Sequence, residues 1–294
     1  MNRFQPGFIT ALGTPLTITG DLETESFNKQ IDDQIGGGAS GLLVMGSMGI
    51  QAYIRNSTYV RVAEAGAQAA DKRVPVLVGV MDTSIGRVLD RIDALKDLPI
   101  DGVVATVPFY NTLTQDEIFT FFREISMNSP FPVYMYDLPV VTKTPIADST
   151  ALRIFRELPN TAGIKSGNLV LCRNLLVQCS RDDVSIICSN IDLFDTAYAY
   201  GITSQLDGMF ACTLKLTAKL YAALKQGDMK QAASALDAVI RVRSALIDVG
   251  VLRGFTAAMN LLGFEGIFHP DYTKMAGEQE ISHVRRALEQ EGML

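Results

Sequence analysis

The residues whose types and spacing could do chemistry converge on one stretch, Ala162-Gly163-Ile164-Lys165-Ser166-Gly167. A short apolar run ends there in one lysine and turns on Ser-Gly. An ammonium at the end of a buried strand is costly unless it has a partner or gives up its proton. A lysine amine that is neutral near physiological pH is a nucleophile, and its usual target is a ketone or aldehyde carbonyl. Lys165 is therefore the candidate Schiff-base residue, with a keto acid as its target. Tyr136 closes an earlier apolar run, and a phenol beside such an amine can move protons to and from a carbinolamine or enamine. Each residue alone has a plainer reading: a lysine marking a strand end in water, and a tyrosine packing on Pro139. The turn Gly46-Ser47-Met48-Gly49 can curl so that its N–H groups and the Ser47 hydroxyl meet one carboxylate. Glycine-flanked turns are common, so this signal is weak by itself.

These groups need elements to hold them, and the chain supplies a rhythm. Short β-branched or apolar runs alternate with polar helical stretches. Strands are predicted at Gly7–Leu12, Gly41–Met45, Val74–Val80, Gly102–Val107, Phe131–Tyr136, Ala162–Lys165, Val184–Cys188 and Ser204–Phe210. Helices are expected between them, including one capped by Ser84 and one opened by a Thr114/Glu117 capping box. Strands that are nearly all apolar belong to a parallel sheet covered by helices on the outside. Eight such units fit a closed (β/α)8 TIM barrel, with a doubly wound open sheet as the structural rival. In a barrel the chemistry sits at the C-terminal strand ends, which is where Lys165, Tyr136, Tyr110, Ser47 and Asp192 all fall. After Phe210 only helical patterns follow. The division expected is a barrel over 1–212 and a C-terminal helical appendage over 213–294.

Composition narrows the function further. The chain has 294 residues, 48% hydrophobic and 20% charged, enough for a large core. Its net charge of -6 and the absence of tryptophan argue against a nucleic-acid footprint or a base-stacking platform. Two histidines, both late in the chain, leave little for a His-based metal site or a Ser-His-Asp triad. Four cysteines without a C-x-x-C pair suit a reduced, cytoplasmic setting. The N-terminus lacks the apolar core of a signal peptide. Gln34 to Ile54 is uncharged, but its six glycines make a spanning helix improbable.

Together the motifs resemble the dihydrodipicolinate synthase / N-acetylneuraminate lyase family of pyruvate-dependent class I aldolases. The resemblance runs from about Phe8 to about Phe210. It is carried by Gly13-Thr14-Pro15, the Gly-Ser-x-Gly turn at Gly46, Val74-Pro75-Val76-Leu77-Val78-Gly79, Pro108-Phe109-Tyr110, Tyr136-x-x-Pro139 and Gly163-Ile164-Lys165. It implies roles residue by residue. Lys165 falls on the Schiff-base lysine and Tyr136 on the proton-relaying tyrosine. Ser47 falls on a hydroxyl linking that tyrosine to the substrate carboxylate, held by the turn at Ser47 and Met48. Tyr110 falls on a tyrosine that members lend across a dimer interface, so a homodimer or homotetramer is implied. The expected function is a lyase joining pyruvate to an aldehyde, or releasing it from a 2-keto-3-deoxy acid, without metal or organic cofactor; hydro-lyase chemistry can start from the same imine.

Several positions depart from the family pattern. Its turn usually reads Gly-Thr/Ser-Thr-Gly-Glu, where this chain has Met48 and Ile50. The synthase branch usually has an arginine where Val141 stands, which counts against the alternative of 4-hydroxy-tetrahydrodipicolinate synthase activity in lysine biosynthesis. Asn190-Ile191-Asp192 keeps the aspartate with which the sugar-acid branch holds polyol hydroxyls, so Asp192 is a weaker candidate for the distal substrate. Met48 and Ile50 also motivate a rival, a barrel that binds a keto acid without catalysis. A metal- or flavin-dependent barrel is a third option.

Overall fold

The structure is a computed structural model that describes residues 4–294. Eight parallel strands pair each with the next, and β8 closes on β1. The order is β1 (Gly7–Ala11), α1 (Thr24–Gly36), β2 (Gly41–Val44), α2 (Asn56–Ala70), β3 (Val76–Gly79), α3 (Ile85–Leu95), β4 (Gly102–Thr106) and α4 (Gln115–Asn128). Then come β5 (Val133–Asp137), α5 (Pro139–Thr142), α6 (Asp148–Glu157), β6 (Thr161–Ser166) and α7 (Leu169–Gln178). β7 (Ser185–Cys188), α8 (Phe194–Ala199), β8 (Ser204–Asp207) and α9 (Leu214–Gln226) complete the ring. Three helices follow: α10 (Met229–Val249), α11 (Val251–Leu261) and α12 (Glu278–Gln290). The closed barrel excludes the doubly wound sheet.

Local chemistry accounts for the ends of these elements. Ser84 accepts from Arg87 N–H at the start of α3, and Thr114 with Glu117 forms a reciprocal capping box at α4. The eighth strand stops at Asp207, short of the expected Phe210. The Asp207 carboxylate takes the Met209 N–H at 2.8 Å and turns the chain into a short 3-10 helix, Met209–Ala211. The segment Gln34–Ile54 is the end of α1, strand β2 and a tight turn. Among the described residues no helix is long and apolar enough to cross a membrane.

Two apolar layers result from strand alternation. Ile9, Leu43, Leu77, Val104, Tyr134, Tyr136, Ile187 and Leu206 fill the barrel interior. Their sequence neighbours, such as Val44, Val78, Val103, Met135 and Ile164, pack outward against the helices. At β3 the fit requires glycine, since a Cβ on Gly79 would lie 1.9 Å from the Met45 carbonyl oxygen. α10 packs on α9, α11 and α12 and touches α8, which brings the C-terminal helices up to the rim of the barrel at β7 and β8.

Candidate active site

β5 and β6 bring the two central residues together. Tyr136 and Lys165 are register partners across this strand pair, and both point inward. Both are buried, at 4% and 5% exposure. The Lys165 Nζ lies 3.9 Å from the centroid of the Tyr136 ring, over its face. This contact holds the amine against the aromatic wall, with no carboxylate within ion-pair distance among the described residues.

The next residue along each strand locks the pair. Ser166 Oγ donates to Asp137 Oδ2 at 2.7 Å, and Asp137 Oδ1 accepts the Ile146 N–H at 3.0 Å. Ser166 Oγ also accepts the Asn168 N–H at 3.0 Å. Both side chains are buried. This clamp ties the C-terminal ends of β5 and β6 at the level where the chemistry would occur. Nothing in the sequence pattern singled out Asp137 or Ser166. The only signal was that each follows a candidate residue. Thr106, the β4 register partner of Tyr136, is a further inward residue, and its buried Oγ1 has no partner.

The turn after β2 stands above this layer. Thr14 Oγ1 donates to the Gly49 carbonyl at 2.7 Å, and Gln51 N–H reaches back to the Gly46 carbonyl at 3.3 Å. Met45 and Ile50 flank the turn at φ 55° and 50°. Positive φ is rare for a β-branched residue and costs about 1–3 kcal/mol, which the burial of Ile50 holds in place. Among the described residues the N–H groups of Ser47 and Met48 have no acceptor within the chain. Ser47 is exposed at the tip and is not hydrogen-bonded to Tyr136 in the single chain. Met48 is half-buried, and its side chain lies on Gly208 beyond β8.

The other two candidates lie further out. Tyr110 is 85% exposed, in the loop after β4, and borders a cavity of about 570 Å³ lined by that loop, the start of α3 and the first half of α4. Asp192 is at the rim after β7. Both its oxygens are taken by Arg243 of α10, at 2.8 Å and 2.6 Å, and this pairing holds its carboxyl below the usual range. Burial pushes the neighbouring Asp207 carboxyl up, against the Met209 N–H and the charges of Lys165 and Arg243, which pull it down. Arg243 was not found from sequence, because 51 residues separate it from Asp192. The thiols of Cys172, Cys188 and Cys212 are buried and pushed up, which marks them as packing groups and not nucleophiles.

The geometry is that of an amine and a phenol enclosed at the C-terminal end of a barrel, below a turn with free N–H donors. A family model described as the dihydrodipicolinate synthetase family matches residues 5–290. The chain belongs to this family. Membership makes it a pyruvate-dependent lyase of the class I, Schiff-base type. It is 27% identical over 261 residues to the 4-hydroxy-tetrahydrodipicolinate synthase of Bartonella bacilliformis, covering 88% of each chain. It is 34% identical to the enzyme of that name from Salinibacter ruber over 172 residues, 58% of this chain and 57% of that one. The fold matches that of YagE, a prophage protein of the dihydrodipicolinic acid synthase family from E. coli K12 solved in complex with pyruvate. The TM-score is 0.90 at 19% identity, covering 98% of this chain and 99% of that one. At that identity the likeness carries the fold alone.

Proposed function

We propose that Lys165 condenses with the C2 ketone of pyruvate or a longer 2-keto acid. Water leaves, and the protonated imine becomes the electron sink. Loss of a C3 proton gives an enamine, whose C3 attacks an aldehyde carbon. Hydrolysis of the imine then returns the water and frees a 4-hydroxy-2-oxo acid. The reverse sequence cleaves the C3–C4 bond. Tyr136 moves the protons, relayed through Ser47 and through Tyr110 of the partner subunit. The turn at Ser47 and Met48 holds the carboxylate. No metal or organic cofactor is required, since the imine itself accepts the electron pair.

The observation that carries this reading is the buried Lys165 amine lying over the Tyr136 ring across paired strands. The exposed Tyr110 supports a homodimer or homotetramer: the cavity beside it mixes apolar groups, Ile85, Pro108, Leu113 and Phe121, with polar ones such as Asn111 and Glu117, as a contact with a second copy can. Four free cysteines support a cytoplasmic setting. Asp192 would meet the distal substrate only if that substrate carries hydroxyls able to compete with Arg243 for it. The region 213–294 acts here as the support that carries Arg243 to the rim. A second reading, 4-hydroxy-tetrahydrodipicolinate synthase activity, is favoured by the names of the relatives and disfavoured by Val141. The test is proton NMR of pyruvate in heavy water. The enzyme exchanges the C3 hydrogens through the enamine, and Lys165→Ala abolishes the exchange. Exchange that survives in Lys165→Ala rules the mechanism out.

A further inference from the structure

We infer that the second-substrate subsite is apolar and takes an uncharged alkyl or aryl aldehyde, with Met48 lying on Gly208 as the specificity-determining contact. The inference rests on the lyase reading and names the substrate class of the same site.

Met48 lies in the turn after β2, and its side chain covers Gly208 just beyond β8. A Cβ placed on Gly208 would lie 2.5 Å from Met48 Cβ, 2.6 Å from its Cγ and 3.0 Å from its Cε. The whole thioether side chain therefore occupies the space that a residue larger than glycine would need. Gly208 comes two residues after Leu206, which shares the interior cluster with Tyr136. The methionine thus stands at the C-terminal strand ends, the end of the barrel at which Lys165 and Tyr136 also lie. A polarisable thioether makes favourable contacts with aromatic edges and adapts to alkyl groups.

The rest of the rim agrees. Leu138 packs on the interior cluster, and Val140 and Val141 of α5 stand 76% and 50% exposed on the same end of the barrel. Ile50, at the far end of the turn, is buried. The charged groups nearby are already engaged. Asp192 and Arg243 neutralise each other through two hydrogen bonds, and Asp207 is turned to its own backbone. A polyol must displace Arg243 from Asp192, and an anionic aldehyde must draw Arg243 away from it. An apolar aldehyde asks for neither.

The test compares kcat/KM for pyruvate addition to isobutyraldehyde and benzaldehyde with that for glyceraldehyde and aspartate semialdehyde. A hydrophobic subsite discriminates by about tenfold or more per well-packed group, so the apolar aldehydes should lead by at least about that factor. Met48→Leu should keep the preference, and Met48→Thr should reduce it by about tenfold. Equal or faster reaction of either polar aldehyde overturns the inference, as does an unchanged ratio in Met48→Thr. Pyruvate C3 exchange is measured in the same samples. Exchange without an apolar preference sinks this inference alone, whereas loss of exchange in the unsubstituted enzyme sinks the lyase reading beneath it.

Discussion

Replacing Ser166 with alanine isolates the clamp that holds the two central residues. The change removes an O–H···O bond of 2.7 Å to the buried Asp137 carboxyl. Hydrogen bonds to charged groups contribute about 1.5–3 kcal/mol. The carboxyl is not left bare, because Ile146 N–H still reaches its other oxygen at 3.0 Å. The Asn168 N–H loses its acceptor too, but Asn168 is exposed and water replaces that bond. A net loss of about 2 kcal/mol follows. A chain of this size sits at the low end of the usual scale, about 2 °C per kcal/mol, so Tm should fall by about 4 °C in scanning calorimetry. Catalysis should suffer more than stability. Small displacements of a reacting group cost up to about 100-fold, and a fall in kcat of about tenfold with KM for pyruvate little changed is expected. Asp137→Asn keeps a neutral acceptor and should show about half the thermal effect. If Ser166→Ala leaves both Tm and kcat where they were, the clamp does not position Lys165, and the argument from β5–β6 pairing loses its support.

Other outcomes follow from particular contacts. Gly79→Ala places a Cβ 1.9 Å from the Met45 carbonyl oxygen, which is backbone and cannot swing aside; it should cost about 3 kcal/mol or more by chemical denaturation. Asp82 is buried, which alone would raise its pKa, yet bonds from Arg87, Thr83 N–H and Arg91 hold it down to about 2 from 3.8. The folded value lies below the unfolded one, so this carboxylate adds about 2 kcal/mol above pH ~4 that is lost as pH falls toward ~2. The Tm difference between the unsubstituted chain and Asp82→Asn should therefore shrink across that window in a pH series. Arg243→Leu frees Asp192 and should lower KM for glyceraldehyde while leaving borohydride trapping of pyruvate in place.

Most of the barrel is legible in the chain because each strand is a short apolar run between turn residues. The α5 helix was not anticipated: Pro139-Val140-Val141-Thr142 carries no helical period, and Pro139 at its first turn suits a loop equally well. The end of β8 escaped for a different reason. Asp207-Gly208 is a turn signal that the expected strand ran through because apolar Met209 and Phe210 follow it, and the Asp207 side chain, bonding forward to Met209, ends the strand there. Lys165 and Tyr136 could be nominated from the sequence because chemistry restricts which residue types can serve, and the barrel sets them side by side. Their supports could not be, because the Ser166–Asp137 bond spans 29 residues and the Arg243–Asp192 pair 51. Periodicity reports on local faces and carries no information about polar contacts at that separation. Met48 was read as a departure from a pattern, and its place against Gly208 depends on barrel closure.

One measurement bears on the central claim without passing through any of these supports. The protein is incubated with pyruvate, reduced with borohydride, digested and sequenced by tandem mass spectrometry. The account predicts a single pyruvate-dependent adduct, on the peptide containing Lys165, absent without reductant and absent in Lys165→Ala. An adduct on any other lysine, or none at saturating pyruvate, contradicts it.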